Sequence, residues 1–419
     1  MKTTLLWIVV LMIFRLSALA AITVPGADGT DGTLSISSNT VIDLSQAVEG
    51  LWDDDNTVAA GAGIYDSNKW AVVFKYSSVT IDNGATLSFA NHRGRPPVVW
   101  LIDGDVTING VLDLNGEDWT TAPSVAEPGP GGFRGGMGYY AVSVGASAGF
   151  GPGGGFTMVD NNGRGASHAH TVDSSPDAYG NPALVPLLGG SGGGGASSAR
   201  GGGAGGGAIL IVSTGTLEIN GTVRANGGNA YNQAYTTSND SGGGSGGGIR
   251  LVADTFTGSG IVEAQAGGGS DYPGALGRVR MERVVNNNTW TSIAPSPSVV
   301  GLTAADTALL WPPIMAPTVK IVSIGSEIAP ADPLASFGTS GADVAIAQTN
   351  TTEVVIETVY VEEASVVKVR LTPRSNASFT EVVASQYQIV NPDPLTIQWT
   401  ADIPVSSGYS AVQVHVVRP

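Results

Sequence analysis

The sequence predicts an all-β protein: an irregular right-handed parallel β-helix with glycine-rich insertions, followed by a C-terminal antiparallel β-sandwich. Three features of the chain support this fold class. Similar stretches recur before residue 285, glycine tracts precede some of them, and short alternating runs fill the part after residue 318. Of 419 residues, 60 are glycine, 42% are hydrophobic and 13% are charged, so the chain is too apolar to be disordered.

The recurring stretch is a short apolar run, a polar corner, an alternating run, a glycine and a second alternating run. Copies of this unit begin at Trp70, Val98, Ala208 and Gly248. Equivalent positions in the four copies are Val79, Val106, Leu217 and Phe256. One unit cannot bury its apolar face alone, so we expect the units to stack. Their uneven separations favour a β-helix, which accepts loops at its corners, over a propeller.

Glycine tracts at 201–207 and 242–248 precede the same strand of two consecutive units. If the units stack, the tracts also stack, and segments without side chains can lie at close backbone distance. The extended, polyproline-II-like form suits such contact. We therefore predict an ordered glycine layer on one side of the units. Two flexible loops of shared composition are the alternative.

The chain divides into a signal peptide and three further parts. Lys2, the apolar run from Leu5 to Phe14 and the small residues at 18–20 are typical of a cleaved secretory signal in 1–20. An uncleaved anchor is the alternative, but the run is short for a spanning helix. The β-helix is expected at 21–285, with a large insertion near 116–207. A proline-rich connector or cap at 286–317 leads to an immunoglobulin-like sandwich at 318–419, which includes a predicted strand at 343–349.

Two parts of the chain resemble known modules. The stretches "AILIVSTGTLEINGTVRANGG" and "GIRLVADTFTGSGIVEAQAGG", each fed by a glycine tract, resemble glycine-rich, pectin-lyase-like parallel β-helix modules of secreted and surface bacterial proteins. The stretch "SVVKVRLTP" followed by "LTIQWTADIPVSSGYSAVQVHVV" resembles bacterial Ig-like or fibronectin type III-like modules, which are spacers and adhesive units. The resemblance implies an extracellular or cell-surface protein and assigns no activity.

Charge and cysteine content restrict the partners. The net charge of −16 argues against nucleic acid and anionic membranes, and without cysteine there is no disulfide or thiolate metal site. No second apolar run has spanning length, so we expect no membrane span in the mature chain. The expected partners are other surface or matrix proteins, or polysaccharide.

The motif "DLNGEDW" contains the best candidate metal ligands. Asp113, Asn115 and Glu117 alternate, so they share a face of an extended strand, and Ca²⁺ prefers such oxygen ligands. Calcium is the one candidate cofactor; no other is predicted. A polar corner is the alternative, because the motif lacks the calcium-hand pattern. His168 and His170 also alternate, but no third ligand is fixed by their spacing.

The large insertion contains the candidate carbohydrate contacts, namely Trp119, Tyr139, Tyr140 and Phe150. Their rings either stack on sugars or cover the glycine layer. We predict no catalytic residues, because the acids of the repeated units follow no common spacing that would bring them into one pocket. The leading interpretation is a secreted structural or adhesive surface or matrix protein without catalytic activity. The alternative is a polysaccharide-binding or polysaccharide-degrading protein with its site on the insertion.

Overall fold

A computed structural model describes residues 22–55, 60–120, 125–139, 145–157, 162–172, 176–196, 200–230, 240–269, 271–303, 309–313, 315–334, 341–348, 350–374 and 378–419. The predicted signal peptide and Tyr140 lie outside these residues. Strands dominate the described chain. Its only helix is a single 3-10 turn at Leu44–Gln46.

The first part of the chain forms two sheets. Their strands are β1 (Gly32–Ile36), β2 (Thr40–Asp43), β3 (Val48–Glu49), β4 (Ile64–Asp66), β5 (Ala71–Ile81), β6 (Thr86–Ala90), β7 (Val98–Ile102), β8 (Val106–Ile108), β9 (Val111–Asp113), β10 (Ala208–Ile219), β11 (Thr222–Arg224), β12 (Gly248–Thr257), β13 (Ile261–Glu263), β14 (Arg278–Asn286), β15 (Ser292–Ala294) and β16 (Ser298–Gly301). Sheet A has the order β16-β14-β12-β10-β7-β5-β4-β3, with β1 and β8 paired beside that path. Sheet B has the order β15-β13-β11-β9-β6-β2.

The core lies between sheets A and B. Val79 pairs with Val106, Val106 with Leu217, and Leu217 with Phe256, as the alignment of the units predicts. In sheet B a second row of buried residues runs through Leu87, Leu112, Val223 and Val262 and ends at the partly buried Ile293. Side chains alternate between the two faces of a strand, so both rows enter one apolar cluster. Burying this surface is the main stabilising contribution of the two sheets.

The predicted right-handed parallel β-helix is wrong. Sheet A is mixed, because a turn at 67–70 reverses the chain and β4 runs antiparallel to β5. The stretches that would complete each coil of strands, between β9 and β10, β11 and β12, and β13 and β14, contain no strand in their described residues. Backbone hydrogen bonds from each of these stretches go to three neighbouring segments. A β-strand bonds only to the two strands on either side of it, so these stretches are not strands. The protein is all-β, but its architecture is two stacked sheets beside a glycine layer.

The glycine layer consists of non-strand segments that pack side by side. Its segments are 115–119, 126–139, 145–156, 162–168, 188–196, 200–207, 225–230, 240–247, 264–269 and 271–277. Most of their residues are buried, including both predicted tracts. Most of the described insertion near 116–207 therefore belongs to the interior of the protein, and the loop at 169–172 and 176–187 is its more exposed part.

Hydrogen bonds within the layer repeat every three residues. Along the tract 201–207, successive N–H groups donate to segment 126–139, then to segment 240–247, then to the stretch after β9. The bonds are Gly202 to Gly136, Gly203 to Gly242, Ala204 to Glu117, Gly205 to Phe133, Gly206 to Ser245 and Gly207 to Leu114. Three residues per turn is the period of the polyproline II helix. The structure thus confirms that the tracts are ordered and extended, and it shows that many more segments share the arrangement.

Close backbone approach explains why these segments need glycine. An added Cβ at Gly205 would overlap the carbonyl group of Gly190, and one at Gly246 would overlap that of Ala264. Any larger residue must therefore push two hydrogen-bonded backbones apart. The composition that is typical of a linker here produces dense packing.

The C-terminal part forms two antiparallel sheets. Their strands are β17 (Thr318–Ile324), β18 (Glu327–Ile328), β19 (Thr351–Val359), β20 (Val366–Pro373), β21 (Thr380–Val383), β22 (Ser385–Pro392), β23 (Leu395–Pro404) and β24 (Ser410–Val417). Sheet C has the order β18-β17-β19-β23-β22, and sheet D has the order β21-β20-β24. Both sheets contribute to one core around Trp399, whose Nε1 donates to Thr358 Oγ1 at 2.9 Å. The predicted strand at 343–349 is wrong, because its described residues, 343–348, form no strand.

Sheet D lies against the glycine layer. The guanidinium of Arg370 is buried and donates to the carbonyl oxygens of Gly151 and Pro152 at 3.2 and 2.7 Å. The ring of Phe379 stacks on Phe156 with centroids 4.6 Å apart. Buried donors need acceptors, so this contact holds the C-terminal sheets in a defined place.

Replacing Gly205 by alanine tests the packing of the layer. We expect the free energy of unfolding to fall by about 3 kcal/mol, because the new Cβ must displace a bonded carbonyl. Gly301→Ala is the matched control: a Cβ there meets nothing within 4 Å, so we expect a change within about 0.5 kcal/mol. Urea unfolding of both variants measures the difference. Equal stability of the two would show that the tract is a tolerant loop.

A fragment covering 318–419 tests the independence of the C-terminal sheets. Their core is made only of residues from this part, so we expect cooperative folding and dispersed amide signals. The fragment should be less stable than the same part in the whole chain, because Arg370 loses its two carbonyl partners. An amide spectrum of a disordered chain would contradict the boundary.

Candidate functional site

A groove of about 460 Å³ lies where strands β6 and β9 end and the glycine layer begins. It is lined by Ser88, Phe89, Ala90, Asn91, Asp113, Leu114, Asn115, Gly116, Glu117, Glu127, Pro128, Gly129 and Pro130. The three residues of the predicted metal site are all among them. The groove is therefore the place where that prediction can be examined in detail.

The oxygens of the predicted metal ligands bind protein groups. Asp113 Oδ2 accepts from Arg224 Nη2 at 2.7 Å, and its Oδ1 accepts from the N–H of Asn115 at 3.0 Å. Glu117 Oε2 accepts from the N–H of Glu127 at 3.1 Å. Within the described residues, no group of three His, Cys, Asp or Glu side chains is placed to hold a metal ion. The calcium prediction stays a prediction without support from this geometry.

Arginines neutralise most of the acid in the groove. Glu127 accepts from Arg134 Nε at 2.6 Å and from Arg95 Nε at 3.2 Å. Burial lowers the pKa of Arg134, and the carboxylate of Glu127 opposes this shift. The hydrogen bond that Arg224 donates to Asp113 raises the pKa of Arg224. Asp113 and Glu127 thus form ion pairs, whereas Glu117 is exposed and pairs with no arginine in the part of the chain that the structure describes.

A polar ladder crosses the units beside the groove. We use this name for Asp113, Asn115 and Asp118, their stacked counterparts Arg224, Asn226 and Asn229, and the third row Glu263, Gln265 and Gly268. In the first two rows, side-chain oxygens accept backbone N–H groups of the next unit: Asn115 from Asn226 at 2.7 Å, Asn226 from Gln265 at 2.7 Å, Asp118 from Asn229 at 2.6 Å, and Asn229 from Gly268 at 2.7 Å. The ladder therefore locks the units in register.

Reasoning from the sequence missed the ladder, although a signal was present. Asn115 and Asn226 are 111 residues apart, and Asn226 and Gln265 are 39 apart. Val106 to Leu217 and Leu217 to Phe256 have the same two separations. An amide or acid repeated at the spacing of the core rows indicates a side chain that bonds from unit to unit.

The predicted carbohydrate contacts have different surroundings. Trp119 is 8% exposed and packs on Ala126 and Ala204, and Phe150 is also buried. Tyr139 is half-buried, and its N–H donates to Ala196 at 3.0 Å. Tyr140 lies outside the described residues. The rings of Trp119 and Phe150 thus cover the glycine layer, and of the described residues in this set only Tyr139 is accessible to a sugar.

His168 and His170 do not face each other across a metal. His168 is fully buried, and its Nδ1 lies 2.6 Å from the carbonyl oxygen of Gly246, to which it must donate. His170 is exposed. The alternation in the sequence places one ring in the glycine layer and the other at the surface.

A second cavity, of about 410 Å³, lies between the first sheets and the chain after β18. Its lining includes Glu49, Arg93, Asp332 and Asp343. Tyr65 donates to Asp332 at 2.6 Å, and its ring lies 4.2 Å from that of His92. Burial raises the pKa of Tyr65, and the bond to Asp332 adds to this shift. Sequence patterns gave no signal for this cluster, because its members are far apart in the chain.

Replacing Asn226 by alanine tests the ladder. The change removes the acceptor of the Gln265 N–H and a bond to Glu263, so we expect a loss of about 1 to 2 kcal/mol in the free energy of unfolding. Asn220→Ala is the control, because the Asn220 side chain is exposed and, among the described residues, donates only to the side chains of Asn109 and Glu218. Its cost should stay within about 0.5 kcal/mol. If the ladder did not stabilise the fold, Asn226→Ala and Asn220→Ala would lower the free energy of unfolding by the same small amount.

No helix in the described residues is long and apolar enough to span a membrane. Comparison with protein-family models, with characterised proteins and with solved structures finds nothing that matches the chain. Kinship with the pectin-lyase-like modules stays a prediction from the sequence.

Proposed function

We propose that the protein is a secreted structural or adhesive component of a cell surface or extracellular matrix. Secretion rests on the signal sequence at 1–20, and the structural role rests on the glycine layer and the polar ladder. In the glycine layer and in the polar ladder, the polar groups form hydrogen bonds that hold neighbouring segments of the protein together. A body built in this way suits a rigid element that presents a surface.

The pairing of the groove's carboxylates carries the proposal. Cleavage of a glycosidic bond uses a positioned acid together with a base or nucleophile. Asp113 bonds Arg224 and the Asn115 amide, and Glu127 bonds two arginines. These carboxylates are arranged as structural ion pairs. The oxygens that a catalytic acid or base would use are thus occupied by hydrogen bonds within the protein.

The ladder also supplies the surface that would meet a partner. Asp118, Asn229 and Gln265, one from each row of the ladder, are exposed. One side-chain oxygen of Asp118 and of Asn229 bonds the next unit, and Gln265 Nε2 donates to Glu263 at 3.2 Å. With a net charge of −16, the partner surface should be neutral or basic.

The groove favours a second candidate function, the binding of polysaccharide. Its volume of about 460 Å³ is within the range of small-molecule sites and accommodates a few sugar rings. Phe89 is half-buried in its lining, and the carboxylate of Glu117, which accepts the Glu127 N–H, is exposed there. Hydroxyl groups of a sugar would bond such a carboxylate. A degrading activity would need the same residue as acid or base.

One experiment separates the two functions. The whole secreted chain is immobilised and exposed to a panel of acidic, neutral and amino polysaccharides and matrix proteins, with and without calcium. Retention is recorded together with reducing ends and unsaturated products. We expect retention of at least one neutral or basic polymer and no product.

Two variants locate the contact. Asn229→Asp adds a negative charge to the ladder and should strengthen retention of a basic polymer through the adhesive surface, while Glu117→Gln should affect only a ligand in the groove. Product formation that Glu117→Gln abolishes at unchanged melting temperature would contradict the non-catalytic proposal. Retention lost in Glu117→Gln but kept in Asn229→Asp would favour the polysaccharide groove.

A further inference from the structure

His168 is a fully buried histidine inside the glycine layer. Its Nδ1 donates to the carbonyl oxygen of Gly246, and its ring stacks on Tyr179 with centroids 4.6 Å apart. An Nδ1 donor leaves Nε2 as an acceptor in the neutral ring. Among the described residues this Nε2 has no hydrogen-bond partner. A buried acceptor of that kind is costly and calls for an explanation.

Arg278 faces the same space. Its Nε is also buried without a hydrogen-bond partner among the described residues. Both atoms lie close to Gly180: an added Cβ there would be 3.9 Å from Arg278 Nε and 4.0 Å from His168 Nε2. An orphaned acceptor and an orphaned donor thus border one small polar gap, which a side chain at position 180 would fill.

The cluster ties a long loop to the layer. Tyr179 donates from its hydroxyl to Gly189 at 2.6 Å, and its carbonyl oxygen accepts from Arg278 Nη2 at 3.0 Å. The N–H of Tyr179 donates to His168 at 3.1 Å. The loop, whose described residues are 169–172 and 176–187, is thus attached by this cluster at its middle, while Leu184 and Leu187 near its end are buried in an apolar cluster with Ala208 and Leu210.

We propose that His168, Tyr179 and Arg278 form an acid-sensitive latch, which holds this loop on the glycine layer at neutral pH and releases it when His168 gains a proton. Protonation turns Nε2 into a donor that faces the cation of Arg278. The imidazolium would then lie in a dry gap beside a like charge. Release of the loop removes Tyr179 from the imidazole and admits water, which solvates and screens the two charges.

The groups around His168 give it no compensating acid. Tyr179 and His170 belong to its own loop, Arg278 comes from β14, and segment 240–247 presents the carbonyl of Gly246. Of the described charged side chains, only Arg278 acts on His168. Asp177 of the loop acts instead on His415 of β24, so release would also reach sheet D.

The direction of the pH effect follows from burial. Burial lowers the pKa of His168 to about 4, the Gly246 bond opposes this shift and Arg278 adds to it. In the released loop the imidazole regains its ordinary pKa of about 6.5. Between these two values the released form binds more protons, so acid favours release. The latch is therefore fully closed above about pH 6.5 and weakens as the pH falls toward 4.

Hydrogen exchange on the whole chain tests the latch. Protection factors of amides at 176–187 are measured at pH 7 and pH 5, with correction for intrinsic rates. We expect protection in the native protein to drop about 20-fold at pH 5. In His168→Gln the drop should disappear, and in His170→Gln, the matched control on the exposed neighbour, it should remain.

Three results would overturn the proposal. The first is an equal loss of protection in His168→Gln and the native protein, and the second is unchanged protection of the native loop at pH 5. If His168→Gln does not fold, an imidazole titration of the native protein decides. A His168 signal that titrates near pH 6.5 with the loop still protected is the third contrary result.

Discussion

The close approach of backbones in the glycine layer is the constraint on which the rest of the structure depends. Each tract gives its N–H groups in turn to three neighbouring segments, and the distance between the segments leaves no room for a Cβ. A layer of this kind has little apolar surface to bury. Its stability comes from hydrogen bonds that are all made together, away from water, because a buried backbone group without a partner is costly.

The sheets and the layer support each other. Strands β10 and β12 follow directly from the tracts at 201–207 and 242–248, so the register of the apolar rows and the register of the layer are set together. The polar ladder adds a third set of unit-to-unit bonds along the same direction. The apolar rows of the sheets, the backbone bonds of the glycine layer and the amide bonds of the ladder therefore all join the same units in the same register. A change at one of them should be felt at the others.

The sequence allowed the stacking of the units to be predicted, but not the architecture around it. Val79, Val106, Leu217 and Phe256 align because inward apolar residues must meet in register. The antiparallel β4 was missed, since its short apolar run carries no sign of direction. The extent of the glycine layer was also missed. Glycine has no side chain, so a glycine segment gives no hydrophobic periodicity in the sequence. The ordered packing of these segments is seen only in their hydrogen bonds, which repeat every three residues.

The site residues were likewise predictable in part. Asp113, Asn115 and Glu117 do come together at a groove, because alternation along a strand places them on one face. Their partners could not be read from the sequence: Arg224 and Asn226 arrive from a unit 111 residues away. Trp119 and Phe150 are buried for a related reason. Large rings beside glycine segments find an apolar surface to cover, and this removes them from solvent.

Amide hydrogen exchange of the glycine tracts tests the central claim most directly. The N–H groups of Gly203, Gly206, Gly244 and Gly247 each donate to another segment of the layer. In the native protein at neutral pH they should exchange as slowly as the core amides of strands β10 and β12, and only through global unfolding. Exchange at the rate of an unstructured chain would contradict the account, since it would leave these residues as flexible linkers.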